Sequence, residues 1–175
     1  FYLVMNIVYS KILKHIVILD VLIVAIGFVL RAMAGAAAID VAISNWLLVC
    51  TLLLSLFLAL SKRRHEIVLL EEDATDHRAI LKEYSTYLLD QLIAVTTAST
   101  LVAYILYTMD PEIQNHLGTD KLVFTVPFVI CGIFRFLYLV HKKELGGDTT
   151  EIIVTDLPFA LNIFLWFFSI LIILW

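Results

Sequence analysis

Residues 16–38 read IVILDVLIVAIGFVLRAMAGAAA, an apolar run interrupted by only two charged side chains, Asp20 and Arg31. The hydrocarbon core of a bilayer is about 30 Å thick and needs about 20 apolar residues in helical form. Residues 1–10 form a partial run, and four further runs reach the full length: 41–60, 91–109, 122–140 and 157–175. Continuous apolar runs indicate helices, because transmembrane strands alternate between apolar and polar residues. The sequence therefore predicts an all-α polytopic bundle with five full spans and part of a sixth.

The composition also indicates a membrane protein. Hydrophobic residues make up 62% of the 175 residues, charged residues make up 16%, and the mean hydropathy is +0.97. Soluble domains are typically about 45–50% apolar and about 25% charged, so the soluble globular class is excluded. The net charge is -4 and there is no long basic run. No nucleic-acid partner is therefore predicted.

The positively charged residues are distributed unevenly among the connections between spans. Most of them fall in alternate connections, at residues 11–14, 62–64, 78–82 and 142–143. The remaining connections, 39–45 and 110–120, contain no lysine or arginine, and only Lys121 directly follows the second of them. The positive-inside rule assigns the first set to the cytoplasm. The charged connections 61–90 and 141–156 are then cytoplasmic, and any chemistry is expected at that face.

The chain shows no internal repeat and no low-complexity segment, so it is predicted to be one domain or part of one. Residues 1–5 enter an apolar run directly, without the basic segment or the cleavage site of a signal peptide. We expect the chain to be the carboxy-terminal part of a longer protein.

Two charged side chains lie inside the first full span. A carboxylate at membrane depth costs about 2.5–3.5 kcal/mol on insertion scales, so Asp20 is expected to face a cavity or a partner. Arg31 lies close to three helical turns further on, which places both side chains on one face about 16 Å apart. Asp20 is a catalytic candidate. Pairing with a neighbouring helix is the alternative for Asp20, and Arg31 is expected to pair or to reach the lipid headgroups.

The second full span ends in the cluster Lys62, Arg63 and Glu66. If the helix continues, Lys62 and Glu66 are neighbours one turn apart and Arg63 lies beside them. Such a cluster can bind a phosphorylated ligand, and an ordinary positive-inside anchor is the alternative. The acidic segment 71–76 is a candidate for Mg²⁺ through one or two carboxylates, or a solvated loop.

Arg135 lies near the cytoplasmic end of the fourth full span. Its guanidinium can clamp a phosphate with two hydrogen bonds or reach the lipid headgroups. The connection that follows contains Gly146-Gly147-Asp148, a strong turn signal.

Four segments, in the same order along the chain, resemble the UbiA-type intramembrane prenyltransferase superfamily. They are DVLIVAIGFVLRAMAG at 20–35, KRRHE at 62–66, EYSTYL at 83–88 and GGDTTE at 146–151. The wider superfamily carries a paired-aspartate motif where this chain has Lys62-Arg63-x-x-Glu66. This form is most similar to the decaprenyl-phosphate phosphoribosyltransferase subgroup, and the resemblance covers nearly the whole chain.

The resemblance implies a helical bundle around a cavity open to the cytoplasm, in the bacterial inner membrane. Members of the subgroup transfer a 5-phosphoribosyl group from phosphoribosyl pyrophosphate to a polyprenyl phosphate. They release diphosphate with Mg²⁺, as a step towards decaprenyl-phosphoryl arabinose for cell-wall polysaccharide.

The resemblance also implies roles for individual residues. Asp20 and Glu66 would be catalytic, and the substrate-binding residues would be Lys62, Arg63, Arg135, Tyr84 and Asp148. The superfamily's first motif, an Asn-Asp-x-x-Asp type element that binds Mg²⁺ and diphosphate, would lie upstream of this chain. We therefore expect the 175-residue segment alone to be inactive.

Three other functions stay open on the sequence alone. A UbiA-type prenyltransferase would use a prenyl diphosphate and an aromatic acceptor. A secondary transporter would use Asp20, Arg31 and Arg135 as intramembrane charges. Transporters tend to carry inverted repeats and matching broken helices, and the sequence shows neither. A membrane scaffold or assembly subunit is the third alternative.

Overall fold

The fold was analysed in a computed structural model, which describes Tyr9 and residues 16–41, 43–72, 83–142 and 149–175. All regular elements in these residues are helices, which confirms the predicted all-α class. The helices are α1 (Leu19–Ala38), α2 (Asn45–Glu72), α3 (Thr86–Met109), α4 (Pro111–Leu117), a 3₁₀ helix (Lys121–Thr125), α5 (Val126–Lys142), α6 (Thr149–Thr155) and α7 (Leu157–Leu174).

Five helical segments are long and apolar enough to cross a membrane. They are Leu19–Ala38, Asn45–Leu69, Thr86–Met109, Lys121–Lys142 and Leu157–Leu174. The five predicted full spans are therefore confirmed, and the chain is an integral membrane protein. The predicted partial span at 1–10 lies outside the described residues except for Tyr9, which is helical.

The end of α2 and the start of α3 differ from the predicted boundaries. Helix α2 does not stop near residue 60 but continues to Glu72, so Lys62, Arg63 and Glu66 remain on one helix. Helix α3 begins at Thr86 rather than at residue 91, because the hydroxyl of Ser85 accepts the backbone N–H of Leu88 at 3.1 Å and caps the helix. Residues 73–82 of the predicted charged connection 61–90 lie outside the described part of the chain.

The chain divides into two compact units, Phe1–Thr97 and Ala98–Trp175. In the first unit, α1 packs along α2. The buried apolar side chains of this unit come from all three helices and include Val21, Ala25, Phe57, Leu60, Leu89 and Ile93. The outward faces of these helices carry large apolar side chains such as Phe28, Leu54 and Val95, as expected for surfaces that contact lipid.

In the second unit, α7 packs against α5, α6 and the 3₁₀ helix. The rings of Phe136 and Phe159 lie 5.9 Å apart in this core. A polar contact joins the same two helices, since the side-chain amide of Asn162 donates to the backbone oxygen of Phe128 at 2.9 Å. Gly132 lies beside this amide and leaves room for it.

The sharp connection after α3 follows from local sequence. Asp110 accepts the backbone N–H groups of Glu112 at 2.8 Å and Ile113 at 3.3 Å, and Pro111 occupies the first turn of α4. Gly118 ends α4 with a φ of 68°, a left-handed conformation that glycine adopts without a steric penalty. Asp110-Pro111 and Gly118 are thus typical sequence signals for the end of one helix and for a turn.

Two glycine-to-alanine substitutions are expected to have different effects on stability. A Cβ at Gly35 would meet nothing within 4 Å, whereas a Cβ at Gly132 would lie 2.8 Å from Nδ2 of Asn162. Alanine restricts the unfolded chain and typically stabilises a compatible site by about 0.4–1 kcal/mol. Gly132→Ala must also displace the Asn162 amide, whose interhelical hydrogen bond is worth about 0.6 kcal/mol on average in membranes.

We therefore expect Gly35→Ala to raise the melting temperature in detergent and Gly132→Ala to raise it less or to lower it. An equal increase in both variants would show that the Asn162 contact contributes nothing.

Candidate functional site

Four of the predicted site residues lie together at one end of the first unit. Asp20 is in the first turn of α1, Arg63 and Glu66 are on the extension of α2, and Tyr84 precedes α3. They are brought together because α1 begins, α2 ends and α3 begins at this end of the unit. We call these four residues the Asp20 cluster.

Asp20 is completely buried, with an exposed fraction of 0%. Its Oδ2 accepts Nε–H of Arg63 at 2.9 Å, and its Oδ1 accepts the hydroxyl of Tyr84 at 2.7 Å. Both carboxylate oxygens therefore have a partner, as a buried charge requires. Asp20 is therefore paired with Arg63 of α2 and with Tyr84, which precedes α3. Of the two expectations for Asp20, a cavity or a partner, the structure shows the partner.

Tyr84 links this carboxylate to the backbone at the start of α1. Its hydroxyl accepts the N–H of Ile18 at 2.6 Å and donates to Asp20. Because an N–H can only donate and a carboxylate can only accept, the direction of both bonds is fixed. Burial, followed by the hydrogen bond to Asp20, raises the pKa of Tyr84 to about 12, so the phenol keeps its proton at neutral pH.

Arg63 lies between two carboxylates. Its Nε donates to Asp20, and its Nη1 donates to Oε2 of Glu66 one turn further along α2. Nη2 makes no hydrogen bond with any described residue. The guanidinium is therefore held on two sides, and the N–H groups of Nη2 remain able to bind an anionic oxygen.

The neighbours of Arg63 on α2 differ in their surroundings. Lys62 is exposed, so its ammonium group is accessible to a ligand. Arg64 donates to Oδ1 of Asp90 at 2.6 Å and so joins α2 to the first turns of α3. Of the three consecutive basic residues, only Arg63 is buried.

Arg135 lies in the second unit, where it forms a two-point ion pair. Its Nε donates to Oδ1 of Asp156 at 3.0 Å and its Nη2 donates to Oδ2 at 2.7 Å. Oδ1 of Asp156 also accepts the N–H of Phe159 at 2.9 Å and caps α7. The forked face of Arg135 is therefore bound to a carboxylate of the same unit.

The remaining predicted positions are only partly described. Asp148 and its double glycine lie outside the described residues, as do residues 73–76 of the acidic segment. Within the ranges that the structure describes, no group of three or more His, Cys, Asp or Glu side chains is arranged to hold a metal ion.

The sequence analysis did not identify Asp90 or Asp156 as the partners of Arg64 and Arg135. A signal for Asp156 was present, because an aspartate followed by Leu157-Pro158 is a typical start of a helix. The charge of Asp90 predicts the boundary of a span at this residue, whereas Asp90 lies one turn inside α3.

No family model matches the sequence. Several curated relatives that share most of it are named decaprenyl-phosphate phosphoribosyltransferase. The relative from Corynebacterium glutamicum is 30% identical over 158 residues, which cover 90% of this chain and 47% of the relative. The relative from Mycolicibacterium smegmatis is 29% identical over 172 residues, covering 94% and 54%. The relative from Mycobacterium tuberculosis is 27% identical over 165 residues, covering 94% and 53%.

These relatives confirm the predicted resemblance to the decaprenyl-phosphate phosphoribosyltransferases. The chain spans about half the length of the curated relatives it matches.

Proposed function

We propose that this chain, a homologue of decaprenyl-phosphate phosphoribosyltransferases, forms part of a membrane transferase. The enzyme moves a 5-phosphoribosyl group from phosphoribosyl pyrophosphate to a polyprenyl phosphate and releases diphosphate. The observation that carries this proposal is the similarity to relatives of that name over 90% or more of the chain. Arg63, the buried arginine of the Asp20 cluster, supports the proposal because the exposed Lys62 lies next to it in the sequence.

The proposed reaction exchanges one C–O bond for another at carbon 1 of the ribose. The bond to the diphosphate breaks, an oxygen of the lipid phosphate forms the new bond, and the carbon is cation-like in between. A phosphate monoester carries a charge of about −1.5 to −2 at pH 7, so its oxygen attacks without a general base. Catalysis then requires positive groups that stabilise the departing diphosphate.

Lys62 and Arg63 are the groups that we assign to the donor phosphates. Lys62 is exposed, and Nη2 of Arg63 has no partner among the described residues. Asp20 and Glu66, which the sequence proposed as catalytic, hold Arg63 from two sides. In this proposal they fix the guanidinium, and Asp20 does not touch the substrate because it is completely buried.

We propose that Mg²⁺ binds together with the phosphates of the donor. The charges of Asp20 and Glu66 formally balance those of Lys62 and Arg63, so these four residues offer a diphosphate no net positive charge. Mg²⁺ is usually bound through one or two carboxylates together with substrate phosphates and waters. Glu66, with 25% of its side chain exposed, fits the part of one such carboxylate. The described residues offer no complete metal site.

The proposed location is the cytoplasmic face of the bacterial inner membrane, with a role in cell-wall polysaccharide precursor synthesis. The positive-inside rule supports the cytoplasmic face, because Lys62, Arg63 and Arg64 follow a membrane-capable segment. A water-soluble donor and a lipid acceptor would meet at such a surface. Arg135 and Asp148 remain proposed substrate contacts, and for Arg135 this would require competition with Asp156.

The experiment that tests the function follows label from phosphoribosyl pyrophosphate into the lipid fraction. Membranes containing the full-length protein receive polyprenyl phosphate and Mg²⁺, with EDTA as the control. Metal-dependent and acceptor-dependent labelling of lipid is the expected result. Consumption of a prenyl diphosphate with an aromatic acceptor, without labelling from the phosphoribosyl donor, would replace the proposal with the wider prenyltransferase activity.

Lys62→Ala is expected to reduce kcat/KM for phosphoribosyl pyrophosphate by about tenfold, since a hydrogen bond to a charged group contributes about 1.5–3 kcal/mol. Lys121→Ala is the matched control, because Lys121 is also exposed but directly follows a predicted outer connection. The initial rate of lipid labelling at several donor concentrations measures both variants. Equal rates of lipid labelling in the two variants would show that Lys62 serves only as a positive-inside anchor.

A further inference from the structure

The start of α1 is tied to Arg63 through a single phenol. The hydroxyl of Tyr84 accepts Ile18 N–H at 2.6 Å and donates to Asp20 at 2.7 Å, and Asp20 accepts Nε–H of Arg63 at 2.9 Å. Tyr84 has an exposed fraction of 5%. The hydroxyl proton and one acceptor site are thus used inside the protein, and the residue has almost no surface with which to contact a substrate.

The backbone at the first of these bonds is in an unusual conformation. Ile18 has a φ of 70° and a ψ of -42°, and its side chain does not cap α1. Positive φ is rare for β-branched residues, and such a conformation persists only where the surroundings enforce it. The hydrogen bond from Ile18 N–H to Tyr84 is a contact that enforces it, two residues before Asp20.

These hydrogen bonds also determine how the guanidinium of Arg63 is oriented. Asp20 holds Nε and Glu66 holds Nη1, so together they set the plane in which Nη2 is presented. Without the Tyr84 hydroxyl, one oxygen of Asp20 would lose its partner and the carboxylate could rotate. The position of Arg63 would then be defined by Glu66 alone.

We propose that Tyr84 is a positioning residue, which orients Arg63 towards the donor phosphates through Asp20. This inference rests on the proposed function, because it assigns Arg63 to the donor. It differs from the role that the sequence suggested for Tyr84, a direct contact with substrate. Residues that hold a binding group in its productive geometry act on the substrate through that group, without touching it.

The test is Tyr84→Phe in the full-length protein, compared with Tyr87→Phe. Tyr87 is the second residue of α3 and is 74% exposed, so its hydroxyl should not affect the cluster. Tyr84→Phe keeps the buried ring and removes the hydroxyl. We expect its KM for phosphoribosyl pyrophosphate to rise about fivefold, as for the loss of one ordinary hydrogen bond. The KM for polyprenyl phosphate should not change.

The effect must also disappear when Arg63 is altered. In an Arg63→Lys background, which keeps the charge but loses the fork, adding Tyr84→Phe should cause no further rise in the KM for the donor. A general loss of folding would instead lower the amount of active enzyme and would affect both substrates alike.

The possible outcomes separate the two proposals. Suppose that the wild type transfers label. If Tyr84→Phe has the same KM for the donor as the wild type, the positioning role is overturned and the function stays intact. The same holds if adding Tyr84→Phe to Arg63→Lys raises this KM by the full factor. A wild type that transfers no label overturns the function, and the positioning role with it.

Discussion

Asp20→Ala is expected to lower the free energy of unfolding by about 3–5 kcal/mol, the usual cost of removing one partner from a buried ion pair. Arg63, with 11% of its side chain exposed, would lose the carboxylate at Nε, and the Tyr84 hydroxyl would lose its acceptor. The cavity left by the carboxylate adds to this cost. We expect a large fall in the melting temperature in detergent, or misfolding at growth temperature.

Two variants make this expectation specific. Asp20→Asn keeps the shape and one acceptor oxygen, so it should cost less than the alanine variant. Asp120→Ala removes an exposed aspartate whose side chain makes no capping hydrogen bond, so its effect should be small. If Asp20→Ala melted within a degree or two of Asp120→Ala, the carboxylate would not be part of a buried network.

Asp156→Ala is the second substitution with a large expected effect. One carboxylate caps α7 through the N–H of Phe159 and binds Arg135 through two of its nitrogens. Loss of a helix cap alone typically costs about 0.5–2 kcal/mol. The alanine variant also leaves the guanidinium of Arg135 without its carboxylate, so the total loss should exceed that of the cap.

Asp156→Asn separates the two contributions. Asparagine caps helices about as well as aspartate, but it cannot form the charged two-point contact with Arg135. We expect the melting temperatures to follow the order wild type, Asp156→Asn, Asp156→Ala, and hydrogen exchange in the first turn of α7 to increase only in the alanine variant. Equal melting temperatures for the wild type and Asp156→Asn would show that the ion pair adds no stability, and equal values for the two variants would show that the cap adds none.

The helical spans were predictable because lipid imposes one simple rule. An apolar run of sufficient length must be a helix, and the charged residues 62–64 or the Asp110-Pro111 pair mark where runs end. Boundaries were less predictable where a charged residue continues the helix. Arg64 and Asp90 satisfy each other across α2 and α3, so neither ends its helix.

The Asp20 cluster could be predicted only in part. Sequence identified Asp20 as a carboxylate that needs a partner, but Arg63 lies 43 residues away and Tyr84 64 residues away. Hydrophobic periodicity shows which face of a helix is apolar, and it does not show which helix end lies beside another. The proposed activity likewise came from the resemblance of motifs such as Lys62-Arg63-x-x-Glu66, because composition and spacing alone fit many membrane proteins.

The length of α2 has a consequence for where chemistry can occur relative to the bilayer. From Asn45 to Arg63 the helix rises by about 27 Å, close to the hydrocarbon thickness of about 30 Å. With Asn45 at the outer boundary, Arg63 would lie at the level of the inner phosphate groups, and the last turns to Glu72 would stand in water. On the proposed function, the length of α2 would set the guanidinium at the depth where the phosphate of a lipid acceptor lies and a soluble phosphoribosyl donor can reach it. In a thinner bilayer the apolar part of α2 would exceed the hydrocarbon thickness, so the helix would tilt and the depth of Arg63 would shift.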